Sequence, residues 1–326
     1  MQTAVLVVIF AFTLFGFSQL TDSAFAIAYF PPPLKQISDG VDPANVTCTE
    51  GLEIVLKKSN GNPACLKPAS VAKLIARGWA IHILPDYKNE LNNSEIFALG
   101  NYNVETQDVN YFNDIQGFLA KPIGEGQFPG MVMIHEWWGL NDNIKEMAEK
   151  LASHGYVVLA VDLYNGEVAI TSDQARQLIT SFDTNVGIEN MNFAASYIQE
   201  NHNVQKIGSI GWCFGGGQSL NLALNNQNMD ATIIYYGSLI TEQELLSNIS
   251  WPVLGIFAEF DQGIPVESVN DFETSLDDLD IPNEIHIYPG VAHAFANPSG
   301  ERYAPNESKD AWEKTIEFLE LNLKMS

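Results

Sequence analysis

Cys213 stands in the run Gly211-Trp212-Cys213-Phe214-Gly215-Gly216, directly after the apolar stretch 207–210 and just before the amphipathic stretch 218–224. That pattern reads as a buried strand, a sharp turn and a helix. Glycines on both sides let the backbone bend tightly and let the helix pack close to the strand. A thiol at the turn sits at a helix N-terminus, where the dipole favours a thiolate and free N–H groups can bind an oxyanion. The chemistry it suits is nucleophilic attack on a carbonyl. A free thiol has a pKa of about 8.5, so at neutral pH it needs a neighbouring base. Two partners follow in the chain. Asp261 comes just past the strand-like run 251–258, and His293 lies in the loop after the strand-like run 284–288. His293 would accept the thiol proton, and Asp261 would fix the imidazole tautomer through the other ring nitrogen. Attack on an ester gives a tetrahedral oxyanion, and losing one donor to it typically costs about 3–4 kcal/mol.

These groups need a scaffold that brings strand ends together. Strands are expected near 130–135, 156–161, 207–211, 231–236, 253–258 and 284–288, and helices near 142–154, 186–200, 215–225, 265–276 and 309–323. Alternation of that kind implies an α/β fold, a mainly parallel sheet with helices on both faces. The nucleophile, acid and histidine would then converge above the carboxyl ends of the strands. The acidic stretch 277–280 reads as a solvated helix end.

With these motifs the chain resembles the dienelactone hydrolase family of the α/β-hydrolase fold. The family's motif of glycine, any residue, cysteine, any residue and two glycines is met at Gly211 to Gly216. The likeness extends to His135-Glu136-Trp137-Trp138-Gly139-Leu140-Asn141, to the stretch from Gly155 to Tyr164, and to His293-Ala294-Phe295. It covers roughly residues 105 to 325. The resemblance implies cleavage of a lactone or small carboxylic ester, without a cofactor, by Cys213 as nucleophile, His293 as base and Asp261 as its orienter. By the same likeness Glu136 holds the thiol in the resting enzyme until substrate displaces it. The backbone N–H groups of Trp137 and Phe214 would form the oxyanion hole. Two departures bear on the substrate. Family members grip a substrate carboxylate with arginines, and the matching positions here are Asn297 and Ser172, with Arg176 one helical turn further on. A dicarboxylate-like lactone is therefore not supported, and Trp137 and Trp138 suggest an apolar or aromatic wall. A second reading is a catalytically silent fold serving as a binding module at the cell surface. The intact Cys213, Asp261 and His293 favour the enzyme.

Residues 1–26 carry an apolar run, Ala4 to Phe17, ending in Ser23-Ala24-Phe25-Ala26. The run has the length of a signal-peptide core and the ending fits a small-residue cleavage site, with an uncleaved N-terminal anchor as the alternative. Either reading places the protein outside the cytoplasm, secreted or anchored to the outer face of the membrane. Residues 31–100 form a small module of different character before the hydrolase domain at 105–326. With Cys213 assigned, Cys48 and Cys65 remain as a pair that can bridge around the turn-like Asn60-Gly61, and export favours that disulfide. Zinc would need more ligands than the nearby His82 supplies, so no metal is expected. The module resembles one in exported archaeal proteins, with a cysteine pair followed by Leu74-Ile75-Ala76-Arg77-Gly78-Trp79. Asn-x-Ser/Thr tripeptides begin at Asn45, Asn92, Asn248 and Asn306 and agree with export. A net charge of −24 with a pI of about 4.4 argues against nucleic acid or anionic membrane as partners. What remains is a small-molecule ester or lactone.

Overall fold

The structure, a computed structural model, describes residues 33–38, 41–42, 45–57, 62–76, 80–81 and 100–324. The leader at 1–26, the Asn60-Gly61 turn, Gly78-Trp79, His82 and the tripeptide at Asn92 lie outside the described residues.

The N-terminal module holds β1 (Glu53–Lys57), β2 (Pro63–Leu66) and β3 (Ala80–Ile81) in an antiparallel sheet ordered β2-β1-β3, with α1 (Pro33–Ser38) and α2 (Pro68–Ala76). Its apolar centre is small: Val55, Val71 and Ala80, with Ala64, Leu66, Leu74 and Ile75 against them. A core of that size needs a staple. Cys48 and Cys65 supply one, bridged with their Cα atoms 5.5 Å apart.

The hydrolase domain is built on β4 (Val104–Phe112), β5 (Ile115–Pro122), β6 (Gly130–Ile134), β7 (Val157–Val161), β8 (Ile207–Trp212), β9 (Ala231–Tyr235), β10 (Val253–Ala258) and β11 (Asn283–Tyr288). They form one eight-stranded sheet in the order β4-β5-β7-β6-β8-β9-β10-β11. From β7 to β11 every pairing is parallel, whereas β4 and β5 join as antiparallel strands. Helices α3 (Asp142–Ser153), α4 (Ser172–Ser181), α5 (Thr184–His202), α6 (Phe214–Asn225), α7 (Gln243–Leu246), α8 (Val266–Asp278) and α9 (Pro305–Leu319) complete it.

Helices cover both faces of the sheet. On one face Val132 and Ile134 pack with Met191 and Ile198 of α5, Leu220 of α6 and Phe272 of α8. On the other, Met131 and Met133 pack with Met147 and Leu151 of α3 and Trp312 and Phe318 of α9. Alternate residues of β6 thus serve opposite cores, which is why these strands read as unbroken apolar runs.

The expected strands and helices of the parallel region are present within a few residues. Two features were not expected, and a third, the C-terminal helix, differs from expectation only in its bounds. The hairpin β4–β5 turns at Asn113, whose φ is 48°. The short α7 is another. The C-terminal helix begins at Pro305 rather than 309 and ends in a π-helical turn, Glu320–Lys324. Among the described residues no helix is long and apolar enough to cross a membrane.

The two parts meet along α3. Lys57 at the end of β1 forms an ion pair with Glu146, each side chain only about a tenth exposed (10% and 11%). Further along the same helix, Ser153 Oγ accepts from Gly100 N at 2.9 Å and Ser153 O from Tyr102 N at 3.0 Å.

Candidate active site

Cys213 occupies the turn between β8 and α6 with φ 57° and ψ −116°, a backbone region that costs a non-glycine residue about 1–3 kcal/mol. Its neighbours hold it there. Cys213 N donates to Tyr235 O at 2.9 Å, and Gly217 N donates back to Cys213 O at 3.2 Å. Gly211 and Gly215 are required by space: a Cβ on Gly211 would fall 2.0 Å from Gly215 O, and one on Gly215 would fall 2.3 Å from Ile134 O. These are the close approaches expected of a strand and helix meeting at an elbow.

The partners arrive from the ends of neighbouring strands. Asp261 follows β10 and His293 follows β11. His293 Nε2 lies 3.1 Å from Cys213 Sγ, and its Nδ1 lies 2.6 Å from Asp261 Oδ2. The other carboxylate oxygen of Asp261 accepts from Gly263 N at 2.9 Å and Ile264 N at 3.1 Å, so the acid cannot rotate away. Burial favours a neutral Asp261, but the His293 hydrogen bond and charge, with those two amides, hold its pKa below the usual value. Burial pulls His293 down. The hydrogen bonds to Asp261 and Cys213 outweigh that and raise it to about 10. The arrangement is one thiol, one imidazole and one carboxylate in a hydrogen-bonded line, able to relay a proton.

The loop after β6 carries the other expected groups. His135 is fully buried and spans it: Nδ1 lies 2.6 Å from Glu136 O, while Leu163 N donates to Nε2 at 3.1 Å. Since Nε2 must accept, Nδ1 carries the proton, and burial keeps the ring neutral. Gly139 N to Glu136 O and Asn141 N to Gly139 O turn the loop into α3, where Asn141 caps Ile144 N. These bonds use the N–H groups of Gly139 and Asn141, not that of Trp137. Phe214 is the first residue of α6, where an N–H has no acceptor inside the helix. The Trp137 and Trp138 rings meet edge to face at 5.0 Å.

Glu136 was expected on the thiol, and its contact is different. Its carboxylate accepts from the Asn297 side-chain amide, while the thiol's hydrogen bond goes to His293. Glu136 is only 3% exposed. Burial raises its pKa to about 7 against the opposing pull of His293, Asn297 and Arg302. Ser172 and Arg176 both lie on exposed positions of α4.

Three site residues had not been singled out from the sequence. His135 positions the loop. Tyr236, just past β9, is buried with its ring 5.2 Å from that of His293. Burial, then the charges of Glu136 and Cys213, push its phenol well above the usual value. Tyr164, just past β7, packs 5.5 Å from Phe214 and 4.8 Å from His135. His135 and Tyr236 are the last residues of the strands expected at 130–135 and 231–236, Tyr164 lies three residues past the one expected at 156–161, and that position was the available signal. A cleft of ≈ 280 Å³ runs beside Tyr164, Phe182, Leu178 and Val186. A cleft of ≈ 410 Å³ lies at the opposite end of the sheet, by Phe128, Gly155 and Lys206, away from the thiol.

The Dienelactone hydrolase family profile matches residues 115–323. The chain belongs to that family. A protein of Aquifex aeolicus (strain VF5) assigned by name as a carboxymethylenebutenolidase is 32% identical over 220 residues, spanning 64% of this chain and 94% of that one. A Saccharolobus solfataricus protein of the same assignment is 30% identical over 249 residues, spanning 63% and 93%. Among solved structures, the dienelactone hydrolase-like promiscuous phosphotriesterase P91 from metagenomic libraries superposes with a TM-score of 0.63 at 21% identity. It covers 67% of this chain and 98% of that one. At that identity the likeness shows the fold, an α/β hydrolase. Family and relatives together make the chain a dienelactone hydrolase-type, carboxymethylenebutenolidase-like hydrolase acting on a small molecule. The N-terminal module precedes the matched region.

Proposed function

We propose that Cys213, His293 and Asp261 are the catalytic triad of a hydrolase that opens lactones or cleaves small carboxylic esters. The observation that carries this reading is the unbroken line from Asp261 Oδ2 through His293 to Cys213 Sγ, at 2.6 and 3.1 Å. In the first half-reaction the Cys213 sulfur attacks the carbonyl carbon with its proton held on His293 Nε2, the imidazole pKa being raised to about 10. The oxyanion forms where the N–H groups of Trp137 and Phe214 can donate to it. Collapse of that intermediate breaks the C–O bond, and His293 returns the proton to the departing alkoxide, giving a thioester. Water then attacks the thioester with His293 as base, releasing the acid and restoring the thiol. In a lactone the alcohol stays tethered to the acyl group throughout.

Glu136 has a regulatory part in this reading. Asn297 holds its carboxylate now, and an alternative contact with the thiol would place a negative charge where a second is disfavoured. Movement of Glu136 between the two partners would then gate the nucleophile. The protein also works outside the cytoplasm in this reading, secreted or anchored, as the bridged Cys48 and Cys65 and the apolar leader support.

The direct test is a panel of lactones and short-chain esters on purified protein, beside the Cys213→Ala variant. Turnover that survives in the variant overturns the triad. Loss of all turnover with the fold intact supports it. A silent binding module would show no turnover in either protein, and the three hydrogen-bonded groups weigh against that outcome.

A further inference from the structure

The N-terminal module precedes the region shared with the family, so the family's chemistry does not say what it is for. Its position does. Asp142, Glu146, Glu149 and Ser153 follow one another at intervals of four, three and four, so they form one stripe of α3. Glu146 and Ser153 on that stripe are 8% and 6% exposed, which the polar side of a surface helix reaches only under a cover. The cover is Lys57 at one point and the segment 100–102 at the other. Lys57 pairs with Glu146, and Gly100 and Tyr102 bond to Ser153. Burial lowers the Lys57 pKa and the charges of Asp142 and Glu149 oppose it, so one cation faces three carboxylates. Lys150 beside them is lowered to about 8, by burial and then by the Lys57 charge.

Lys57 is itself held. Leu56 and Lys57 pair with Ile81 and Ala80 of β3, and Lys57 N donates to Asn62 O at 2.8 Å. The bridged Cys65 sits opposite Ile54 of the same strand. Another side of α3 faces the active site. Ile144, Met147 and Leu151 pack into the core, and Asn143, Ile144 and Met147 meet Glu136, Tyr236 and Asn297 across a cavity of only ≈ 10 Å³. With so little slack, a movement of α3 is passed on to Glu136. The start of the helix is tied to the loop as well. Asn141 Oδ1 accepts from Ile144 N at 3.2 Å, and Asn141 N donates to Gly139 O at 2.8 Å.

We propose that Lys57 is a positioning residue for catalysis: through Glu146 it braces α3, and α3 holds the loop from Glu136 to Asn141 that presents the Trp137 amide to the oxyanion. The proposal rests on the triad and oxyanion assignment and gives the module a part in it. Lys57 acts at one remove, with α3 between it and the site. The triad residues follow β8, β10 and β11, whereas this loop follows β6 and ends in α3, so loosening α3 disturbs the loop first.

The full-length wild type, Lys57→Met, Lys57→Arg and the double variant Lys57→Met, Glu146→Leu test this, all read on one cleaved ester well below the melting transition. Lys57→Met leaves Glu146 buried without this cation. It should lower kcat about tenfold with KM changed less than about twofold, since a misplaced donor is felt in the transition state. Hydrogen exchange at the Gly139, Asn141 and Ile144 amides should speed up with it. Alkylation of Cys213 by iodoacetamide should stay within about twofold of wild type, because that reaction needs the thiolate and forms no oxyanion. Lys57→Arg keeps a cation and the double variant replaces the pair by an apolar contact, so both should return kcat to within about twofold of wild type. Wild-type kcat and unchanged loop exchange in Lys57→Met overturn the proposal. A loss of kcat matched by an equal change in alkylation means general loosening and overturns it too, as does a double variant as slow as the single. Failure of the triad assignment shows separately, as turnover that survives Cys213→Ala or as no turnover at all, and loop exchange then still decides whether Lys57 braces α3.

Discussion

His293 Nε2 stands 3.1 Å from Cys213 Sγ although the two residues are 80 apart in sequence. The thiol sits on an elbow that fixes its backbone, and the imidazole on a loop tied to β10 through Asp261. Cys213→Ala should abolish ester hydrolysis and leave the circular dichroism spectrum and melting temperature close to wild type, because the thiol is small and only partly buried. Cys213→Ser should keep little activity, since a neutral hydroxyl is the poorer nucleophile. Full turnover by the alanine variant would end the assignment.

Asp261→Asn tests the far end of the line. Removing the charge should lower kcat by roughly 10²–10⁴-fold while the fold survives. Asp261 contributes to holding His293 at about 10 against the pull of burial, so the variant's imidazole should titrate at lower pH. The stability sign follows. A histidine whose pKa is raised on folding stabilises the protein fully below about 6.5, and this is lost as pH rises through about 10. The variant's deficit should therefore be greatest in mild acid and fade in strong alkali, as denaturant melts across pH can read.

Much of this site was legible because its parts are local in sequence. The elbow is six consecutive residues; Asp261 follows the buried apolar run of β10, and His293 follows β11, an edge strand in which polar and apolar residues alternate. The hairpin β4–β5 was not legible. β4 is largely exposed and alternates weakly, and its place in the sheet comes from the pairing of β5 with β7. The partner of Glu136 was not legible either. It lies 161 residues away, and nothing in the tripeptide Asn297-Pro298-Ser299 announces that its amide will be turned inward by Ser299. His135 was quoted only as part of a motif, although its two ring nitrogens tie the loop together.

The Cys48–Cys65 bridge closes a separation of 17 residues, and a loop of about that size is worth about 3 kcal/mol to the part it constrains. Its removal in a double alanine variant should increase hydrogen exchange in β1, β2 and α2. The hydrolase core has its own apolar interior, so its exchange and its melting transition should change little. Loss of protection across β6 and β8 in the same variant would show that the two parts fold as one.

Lys57 and Glu146 form an ion pair largely removed from water. Burial lowers the Lys57 pKa despite the nearby Asp142 and Glu149 charges. Breaking such a pair from one side strands the other charge, so Lys57→Ala should destabilise the protein by about 3 kcal/mol. Replacing both members together by methionine and leucine should cost far less. A double-mutant cycle by denaturant unfolding gives the coupling directly, and a single variant no worse than the double would show that the pair does not join module to core.

Glu136 makes the sharpest prediction of sign. Burial raises its pKa from 4.5 to about 7, so the folded protein binds this proton more tightly than the unfolded chain. Below about pH 4.5 both states are protonated and the group costs nothing. As pH rises from there through about 7 the folded state must ionise a buried acid, and stability falls by about 3 kcal/mol, taking 1.36 kcal/mol per unit. Glu136→Gln keeps the shape and an oxygen for the Asn297 amide but carries no charge. The variant should match the wild type near pH 4.5 and exceed its stability by up to about 3 kcal/mol at pH 8, when both are measured by urea unfolding with substrate absent. A gain of the same size at both pH values would mean that packing, not charge, is what the substitution changes. A loss at pH 8 would mean that the charge is satisfied after all, and that the cation doing so must be Arg302 or His293.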